Sequence, residues 1–162
     1  MKELRRLGNP QIGQLQFWKF VENSAPAHRT VLDAVAPVAN RHITVWGLTY
    51  KPGTDTLRRS LSVELCRMLV RDGARVTVFD PAVHSLPSDL AGVEVSADAI
   101  SAATSTDAVV VGTPWPVFRQ VTADALLAVS PRPAVIDPGR FLESTFGADR
   151  RVRYFAVGTP RS

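Results

Sequence analysis

Cationic side chains gather on one loop of this sequence, directly after a short apolar run at residues 43–47. Lys51, Arg58 and Arg59 lie on that loop with Asp55, and Ser60 follows them as a candidate helix start. The apolar run is typical of a strand buried on both faces of a parallel sheet. The carboxyl ends of such strands open on a ligand crevice, where a helix N-terminus adds unpaired amide donors for anions. The pattern therefore predicts a ligand that carries phosphate.

Strand and helix patterns alternate from residue 41 onward, and this alternation predicts the fold. The predicted elements are strand 43–47, helix 60–71 with Gly73 as its C-cap, strand 75–79, strand 93–95, helix 97–103, strand 107–112, helix 123–129, strand 134–137 and strand 152–157. Six strands with crossover helices predict an α/β fold, a doubly wound parallel six-stranded Rossmann-like sheet. The usual order 3-2-1-4-5-6 makes the first and fourth strands neighbours, so that their loops flank one crevice.

Three loops then share the rim of this crevice, at residues 48–59, 113–118 and 137–141. The candidate substrate-binding residues on them are Tyr50, Lys51, Arg58, Trp115 and Arg140. The three basic side chains could neutralise a diphosphate, and either aromatic ring could stack on a base. Backbone amides near Gly53 and Ser60 could add further donors.

Structural interpretations of the same residues stand beside the functional one. A lone lysine on a loop is usually a solvated charge, and a tryptophan flanked by prolines often anchors its loop. Arg58 or Arg59 could pair with Asp55 or Glu64 instead of meeting a ligand. Only the convergence of all five candidates in one crevice favours a binding site.

Binding of NAD by this chain is not expected, although Asp80 occupies the end of the second strand, where dinucleotide folds carry a ribose-binding acid. The loop after the first strand is GLTYKPG and lacks G-x-G-x-x-G. Asp80 followed by Pro81 is interpreted as a turn that ends the strand. No cofactor is therefore assigned to this chain.

No catalytic or metal-binding set is visible in the sequence. His28, His42 and His84 have no cysteine or carboxylate at metal-ligand spacing, and His42 is expected to be structural or solvated. Cys66, the only cysteine, lies in a helical pattern and is interpreted as a small buried hydrophobe rather than a nucleophile. A G-x-S-x-G nucleophile elbow does not occur.

Composition excludes several classes of protein. The chain has 162 residues, a net charge of +4 and 45% hydrophobic residues, enough for one domain with a sizeable core. Its arginines are scattered, which argues against nucleic-acid binding, and no apolar stretch is long enough for a membrane span. Without a signal peptide pattern, a cytoplasmic protein is expected. Residues 1–40 predict a helical extension with an apolar cluster around Trp18, and residues 41–162 the ligand-binding domain.

The motifs in this sequence resemble those of a known family. VWGLTYKPGTDTLRRS is similar to V-x-G-x-x-F-K-x-x-T-D-D-x-R-E-S of the UDP-glucose/GDP-mannose dehydrogenase family, in its C-terminal nucleotide-sugar (UDP)-binding domain. ARVTVFDP, TDAVVVGTPWPVFRQV, AVIDPGRFL and VRYFAVG resemble further segments of that domain in the same order. The resemblance covers about residues 41 to 160.

The resemblance implies binding roles for particular residues. The family's lysine of the F-K pair and arginine of a late D-x-R turn contact the nucleotide-sugar, and these correspond to Lys51 and Arg140. Tyr50 replaces the phenylalanine and keeps an aromatic ring. Arg59 stands where the family usually has glutamate, and Pro114 where it has the glutamate before tryptophan. These departures imply a site with changed specificity.

The resemblance also sets expectations for activity and partners. These dehydrogenases use an N-terminal NAD-binding domain and a catalytic cysteine, and residues 11–40 resemble the end of the central helix that follows them. The chain alone is therefore expected to bind a UDP-sugar without transferring hydride. Its helical segment is expected to form a homodimer or to associate with an NAD-binding domain, as the separate subunit of a split dehydrogenase. An interaction protein that kept the fold and lost the ligand is the remaining alternative.

Overall fold

The computed structural model describes residues 33–34 and 37–156 of the chain. Their strands are β1 (His42–Trp46), β2 (Arg75–Phe79), β3 (Glu94–Val95), β4 (Ala108–Val111), β5 (Ala134–Ile136) and β6 (Arg153–Phe155). Their α-helices are α1 (Leu61–Arg71), α2 (Ala99–Ala102), α3 (Ala123–Val129) and α4 (Glu143–Phe146). Two 3₁₀ turns lie at Ser88–Leu90 and Pro116–Gln120. No helix of this described part is long and apolar enough to cross a membrane.

The six strands form one parallel sheet in the order β3-β2-β1-β4-β5-β6. This confirms the predicted doubly wound fold and its strand order. Ile43 of β1 pairs with Val76 on one side and with Ala108 on the other. Because β1 and β4 are neighbours, the loops that follow them meet at the carboxyl edge of the sheet, where ligands of such folds bind.

Helix α1 follows the β1 loop and has clear start and stop signals. Ser60 caps its N-terminus by accepting a hydrogen bond from the Val63 backbone N–H, an interaction that stabilises a helix by about 1 kcal/mol. At its other end Gly73 has φ of +89°, and the Gly73 and Ala74 amides donate to the carbonyls of Val70 and Leu69. This is a Schellman motif, and it confirms Gly73 as the residue that ends the helix.

Apolar side chains cover both faces of the sheet, because each central strand is buried on both sides. One core cluster contains Val45, Val78 and Val110 with the inner side of α1. The other cluster contains Trp46, Val109 and Phe118 with the helices that follow β3, β4 and β5. Trp46 and Phe118 stack with ring centroids 5.4 Å apart. Packing on both faces holds the strand ends, and therefore the loops at the carboxyl edge, in fixed positions.

The structure corrects several predicted boundaries. Helix α2 is shorter than residues 97–103, because Asp98 caps it by accepting from the Ser101 amide. The segment 113–118, predicted as a loop, overlaps the 3₁₀ turn Pro116–Gln120, and α4 was not predicted. Residues 37–40 form turns rather than a continuing helix. The prediction for the rest of the helical segment at residues 1–40 lies outside the described residues.

The amino edge of the sheet is fastened by a buried polar network. The Thr44 hydroxyl oxygen lies 2.7 Å from the Ala102 carbonyl oxygen and 2.9 Å from the Thr106 hydroxyl oxygen, and Ser130 donates to the Thr106 carbonyl. Both ring nitrogens of His42 are within hydrogen-bonding distance of partners, at Ser105 and Thr77. His42 is therefore structural, one of the two roles that the sequence allowed. At this amino edge, every polar side chain of the network is therefore engaged in hydrogen bonds within the protein.

Candidate functional site

The carboxyl edge of the sheet is organised around Asp80, which directly follows β2 and is only 3% exposed. Its Oδ2 atom accepts hydrogen bonds from the backbone amides of Leu48 and Thr49, at 2.7 and 3.0 Å, and from the Thr49 hydroxyl at 3.2 Å. Oδ1 accepts from the Ala82 amide at 2.8 Å. The interpretation of Asp80 as the end of a strand is correct but incomplete, because its carboxylate also holds the loop after β1.

Trp115 joins the same carboxylate from the loop after β4. Its indole Nε1–H donates to Asp80 Oδ2 at 3.0 Å and lies 3.2 Å from the Thr49 hydroxyl oxygen. The structure thus shows Trp115, which is half-buried, as an anchor for its loop, one of the interpretations that the sequence left open. Neither of the two concavities described below is lined by its ring.

The loops after β1 and β4 approach so closely that a glycine is required between them. Gly47 has φ of +89°, and a Cβ atom placed there would lie 2.6 Å from the Thr113 backbone nitrogen and from its Cβ. Thr113 in turn donates its hydroxyl to the Thr49 carbonyl at 2.6 Å. The backbone of Thr49 is therefore held at both its N–H and its C=O, directly before Tyr50.

Tyr50, Thr56, Arg58 and Arg59 line a shallow concavity of about 410 Å³ beside α1. The Tyr50 amide donates to the Thr56 carbonyl at 2.8 Å, which closes the loop, and the Tyr50 side chain is 62% exposed. The structure thus brings together two predicted site residues, Tyr50 and Arg58, and adds Arg59. Their concavity presents an aromatic ring next to two guanidinium groups.

The cations of this loop have no acidic partner within ion-pair distance among the described residues. Lys51, Arg58 and Arg59 are exposed and form no salt bridge there. Glu64, the partner considered for Arg58 or Arg59, is bound by Arg67 instead. The structure therefore shows no ion pair between a loop arginine and Asp55 or Glu64, all of which it describes.

Arg140 lies on the turn after β5, which a second buried carboxylate organises. Asp137 is fully buried and accepts from the amides of Phe141 and Leu142 and from the Tyr154 hydroxyl. Burial and the hydrogen bond to Asp137 raise the pKa of Tyr154 above its ordinary value. Arg140 has φ of +57° and pairs with Glu143 at 2.7 Å.

A second concavity, of about 280 Å³, lies at the same edge of the sheet and is mostly apolar. Its lining comes from the start of α1, the end of β4 and the β5 turn, including Leu61, Leu65, Pro114, Gly139 and Phe141. The sequence pattern did not identify this pocket. Leu61, the first residue of α1, is 50% exposed and lines this pocket.

The described residues do not fit a dinucleotide of the ordinary Rossmann kind. The only acid at the end of β2 is Asp80, which is buried and engaged by five donor contacts, so that it cannot hold a ribose. Cys66 is buried in α1, and burial raises the pKa of its thiol from 9.0 to about 12. The described part of the chain contains no group of three residues of metal-ligating type placed to hold an ion.

Fold and edge together define a doubly wound α/β domain with a basic loop at the carboxyl edge of its sheet. Residues 44–144 match the model of the UDP-glucose/GDP-mannose dehydrogenase family, UDP binding domain. The match covers more than half of the chain, and the chain belongs to this family. The resemblance noted in the sequence is thereby confirmed.

Individual relatives agree with this assignment. UDP-glucose 6-dehydrogenase of Rhizobium meliloti is 30% identical over 137 residues, which are 84% of this chain and 31% of that protein. UDP-glucose 6-dehydrogenase TuaD of Bacillus subtilis is 32% identical over 116 residues, or 70% of this chain and 25% of that one. The chain thus spans about a third or less of the length of these relatives.

Solved structures share the fold. A UDP-glucose dehydrogenase from Pyrobaculum islandicum has a TM-score of 0.61 at 28% identity, covering 79% of this chain and 28% of that one. A UDP-D-ManNAc dehydrogenase from Pyrococcus horikoshii has a TM-score of 0.67 over 93% of this chain and 35% of that one. At 19% identity, the second structure supports the fold alone.

Proposed function

We propose that this domain binds a UDP-sugar at the carboxyl edge of its sheet, with the loop after β1 supplying the main contacts. The observation that carries the proposal is the cluster of exposed loop cations, Lys51, Arg58 and Arg59, which have no acidic partner among the described residues. A diphosphate is the ligand group that such a cluster neutralises best, and the family's UDP binding domain supplies the chemistry.

The other predicted residues have supporting roles in this proposal. Tyr50 offers an exposed ring against the base or the sugar, and Arg140 reaches the diphosphate from the β5 turn by exchanging its pair with Glu143. That exposed pair is worth only about 0.2–1 kcal/mol, so a phosphate can displace it. Trp115 bounds the site by holding the β4 loop against Thr49.

Substrate oxidation is not proposed for this domain by itself. Its cysteine is buried with a raised pKa, and its strand ends do not fit NAD. Hydride transfer would need a separate NAD-binding domain, associated through residues 1–40, and a homodimer through that segment is the other arrangement. Mixing this protein with such a domain, NAD⁺ and UDP-glucose should then give NADH, as hydride passes from the sugar alcohol to NAD⁺. No NADH from any mixture would remove the oxidation role.

The binding proposal is tested by calorimetric titration of the protein with UDP and UDP-glucose. We expect saturable binding that weakens with salt, and an affinity about tenfold or more lower in Lys51→Ala, because a charge-assisted contact is lost. Arg75→Ala is the matched control, since Arg75 is an exposed cation at the amino edge, paired with Glu94. Its affinity should equal that of the wild type. Equal affinities of all three proteins would contradict the proposal, and so would no binding by the wild type.

A further inference from the structure

Asp80 collects hydrogen bonds from two loops that are far apart in the sequence. Leu48 and Thr49 donate from the loop after β1, and Trp115 donates from the loop after β4. The separations in the chain are 32, 31 and 35 residues. Because the carboxylate is only 3% exposed, water does not compete for these bonds, and they strengthen accordingly.

These hydrogen bonds hold the residue that directly precedes the proposed ligand-binding residues. Thr49 is held by Asp80 at its N–H and hydroxyl and by Thr113 at its carbonyl, so its peptide units cannot rotate. Tyr50 and Lys51 are the next two residues, and both are exposed. The backbone that leads into Tyr50 and Lys51 is thus held by a buried carboxylate that itself cannot reach a ligand.

Only a carboxylate fits these donors. Asp80 Oδ2 lies within hydrogen-bonding distance of four donors and Oδ1 of one, and all of them are N–H or O–H groups. An asparagine would turn its NH₂ group either toward the loop donors or toward the Ala82 amide, since one of its two positions no longer accepts. Either orientation leaves buried donors without an acceptor.

We propose that Asp80 is a positioning residue that joins the loops after β1 and β4 and thereby presents Tyr50 and Lys51 to the diphosphate of a UDP-sugar. The inference rests on the proposed function of the same edge. In this role Asp80 does not bind a ribose, and it does more than end a strand. Without Asp80, binding of the ligand would have to order the loop. This ordering lowers the affinity for the ligand as well as the stability of the domain.

The test compares Asp80→Asn with Thr106→Val, in which a buried hydrogen-bonding side chain is removed at the opposite edge of the sheet. UDP affinity, thermal midpoint and amide hydrogen exchange are measured for both variants and the wild type. Both variants should have lower midpoints. Asp80→Asn alone should bind UDP about tenfold to a hundredfold more weakly and exchange the Leu48 and Thr49 amides faster. Thr106→Val should keep wild-type affinity.

Equal UDP affinity in folded Asp80→Asn and wild type would overturn the positioning role while leaving the UDP site intact. No UDP binding by the wild type would instead overturn the proposed function, and this inference with it. If Asp80→Asn does not fold, the wild type decides the question: UDP at saturation must slow exchange of the Leu48 and Thr49 amides. Unchanged exchange at saturation would overturn the proposal.

Discussion

Arg59 and Arg140 adopt left-handed backbone conformations, with φ of 60° and 57°. Only glycine takes such angles without strain, and a bulky residue there costs about 1 kcal/mol. Both strained arginines lie at the carboxyl edge, where the proposed diphosphate would bind. Strained backbone of this kind is common at functional sites, which agrees with the proposed diphosphate site.

The strain gives a prediction in which stability and binding move in opposite directions. Arg59→Gly should raise the free energy of unfolding by about 0.5–1 kcal/mol and weaken UDP binding. Chemical denaturation and calorimetry on the same samples measure the two effects. Ser105→Gly is the control, since Ser105 has φ of 56° at the amino edge. It should gain stability with no change in affinity; a loss of affinity there as well would undermine the interpretation.

Cys66 should be unreactive in the folded protein. It is fully buried, and burial raises the pKa of its thiol to about 12, so almost no thiolate exists at neutral pH. Labelling by a thiol reagent should therefore proceed only as fast as the protein opens, and it should accelerate with denaturant. Fast stoichiometric labelling of the native protein at pH 8 would contradict the buried assignment.

The candidate site was predictable from the sequence in part. The presence of Tyr50 and Arg58 in one concavity was predictable, because the loop after β1 and the start of α1 are local features of the sequence pattern. The role of Asp80 was not predictable, since four of its five donor contacts come from residues 31 to 35 positions away and only the folded sheet brings them together. The apolar pocket was missed for the same reason, because three separate elements line it.

At the scale of elements, the contact between the β1 and β4 loops depends on two glycines without side chains. A Cβ atom at Gly112 would lie 2.5 Å from the Gly47 carbonyl oxygen and 2.9 Å from the Ser62 Cβ. A Cβ at Gly47 would meet the Thr113 backbone while φ stays at +89°. The Gly47 carbonyl and the Thr113 backbone cannot move without displacing the buried end of β1 or β4.

Gly47→Ala should therefore lower the free energy of unfolding by more than about 2 kcal/mol, through steric overlap and backbone strain together. Gly92→Ala is the matched substitution, since a Cβ there meets nothing within 4 Å and the backbone is not left-handed. It should change stability by less than about 0.5 kcal/mol. Similar denaturation curves for the two variants would contradict the close approach of the loops.

The order of elements was predictable because few topologies satisfy the rules for alternating strands and helices. Helix α1 was predicted nearly to the residue, since Ser60 and Gly73 signal its two ends. The 3₁₀ turn Pro116–Gln120 and the four-residue α4 were not predicted. Such short segments have no hydrophobic period, and packing against the sheet decides their conformation.

For the molecule as a whole, the raised pKa of Cys66 implies a loss of stability in alkaline solution. The unfolded thiol ionises near its ordinary value of 9.0 and the folded one near 12, so the unfolded state holds fewer protons between these values. Stability is fully present below pH 9 and falls as pH rises toward 12, by up to about 1.4 kcal/mol per unit. Tyr154 adds to the fall, because its pKa is also raised.

Denaturant unfolding at pH 8, 9, 10 and 11 measures this slope. In Cys66→Ala the slope above pH 9 should be smaller than in the wild type, although the absolute stability is lower at every pH because a cavity is left. An unchanged slope would mean that the thiol ionises as readily in the folded protein as in the unfolded chain.

The position of β1 between β2 and β4 has a consequence for how the chain folds. β2 follows β1 after one helix, whereas the contact from His42 to Asp107 closes 65 residues. Closing the longer loop costs more chain entropy and makes such contacts late in folding. We expect the pairing between β1 and β4 to form last during folding. The proposed ligand, which contacts loops on both sides of this pair, would then stabilise the part of the sheet that forms most slowly.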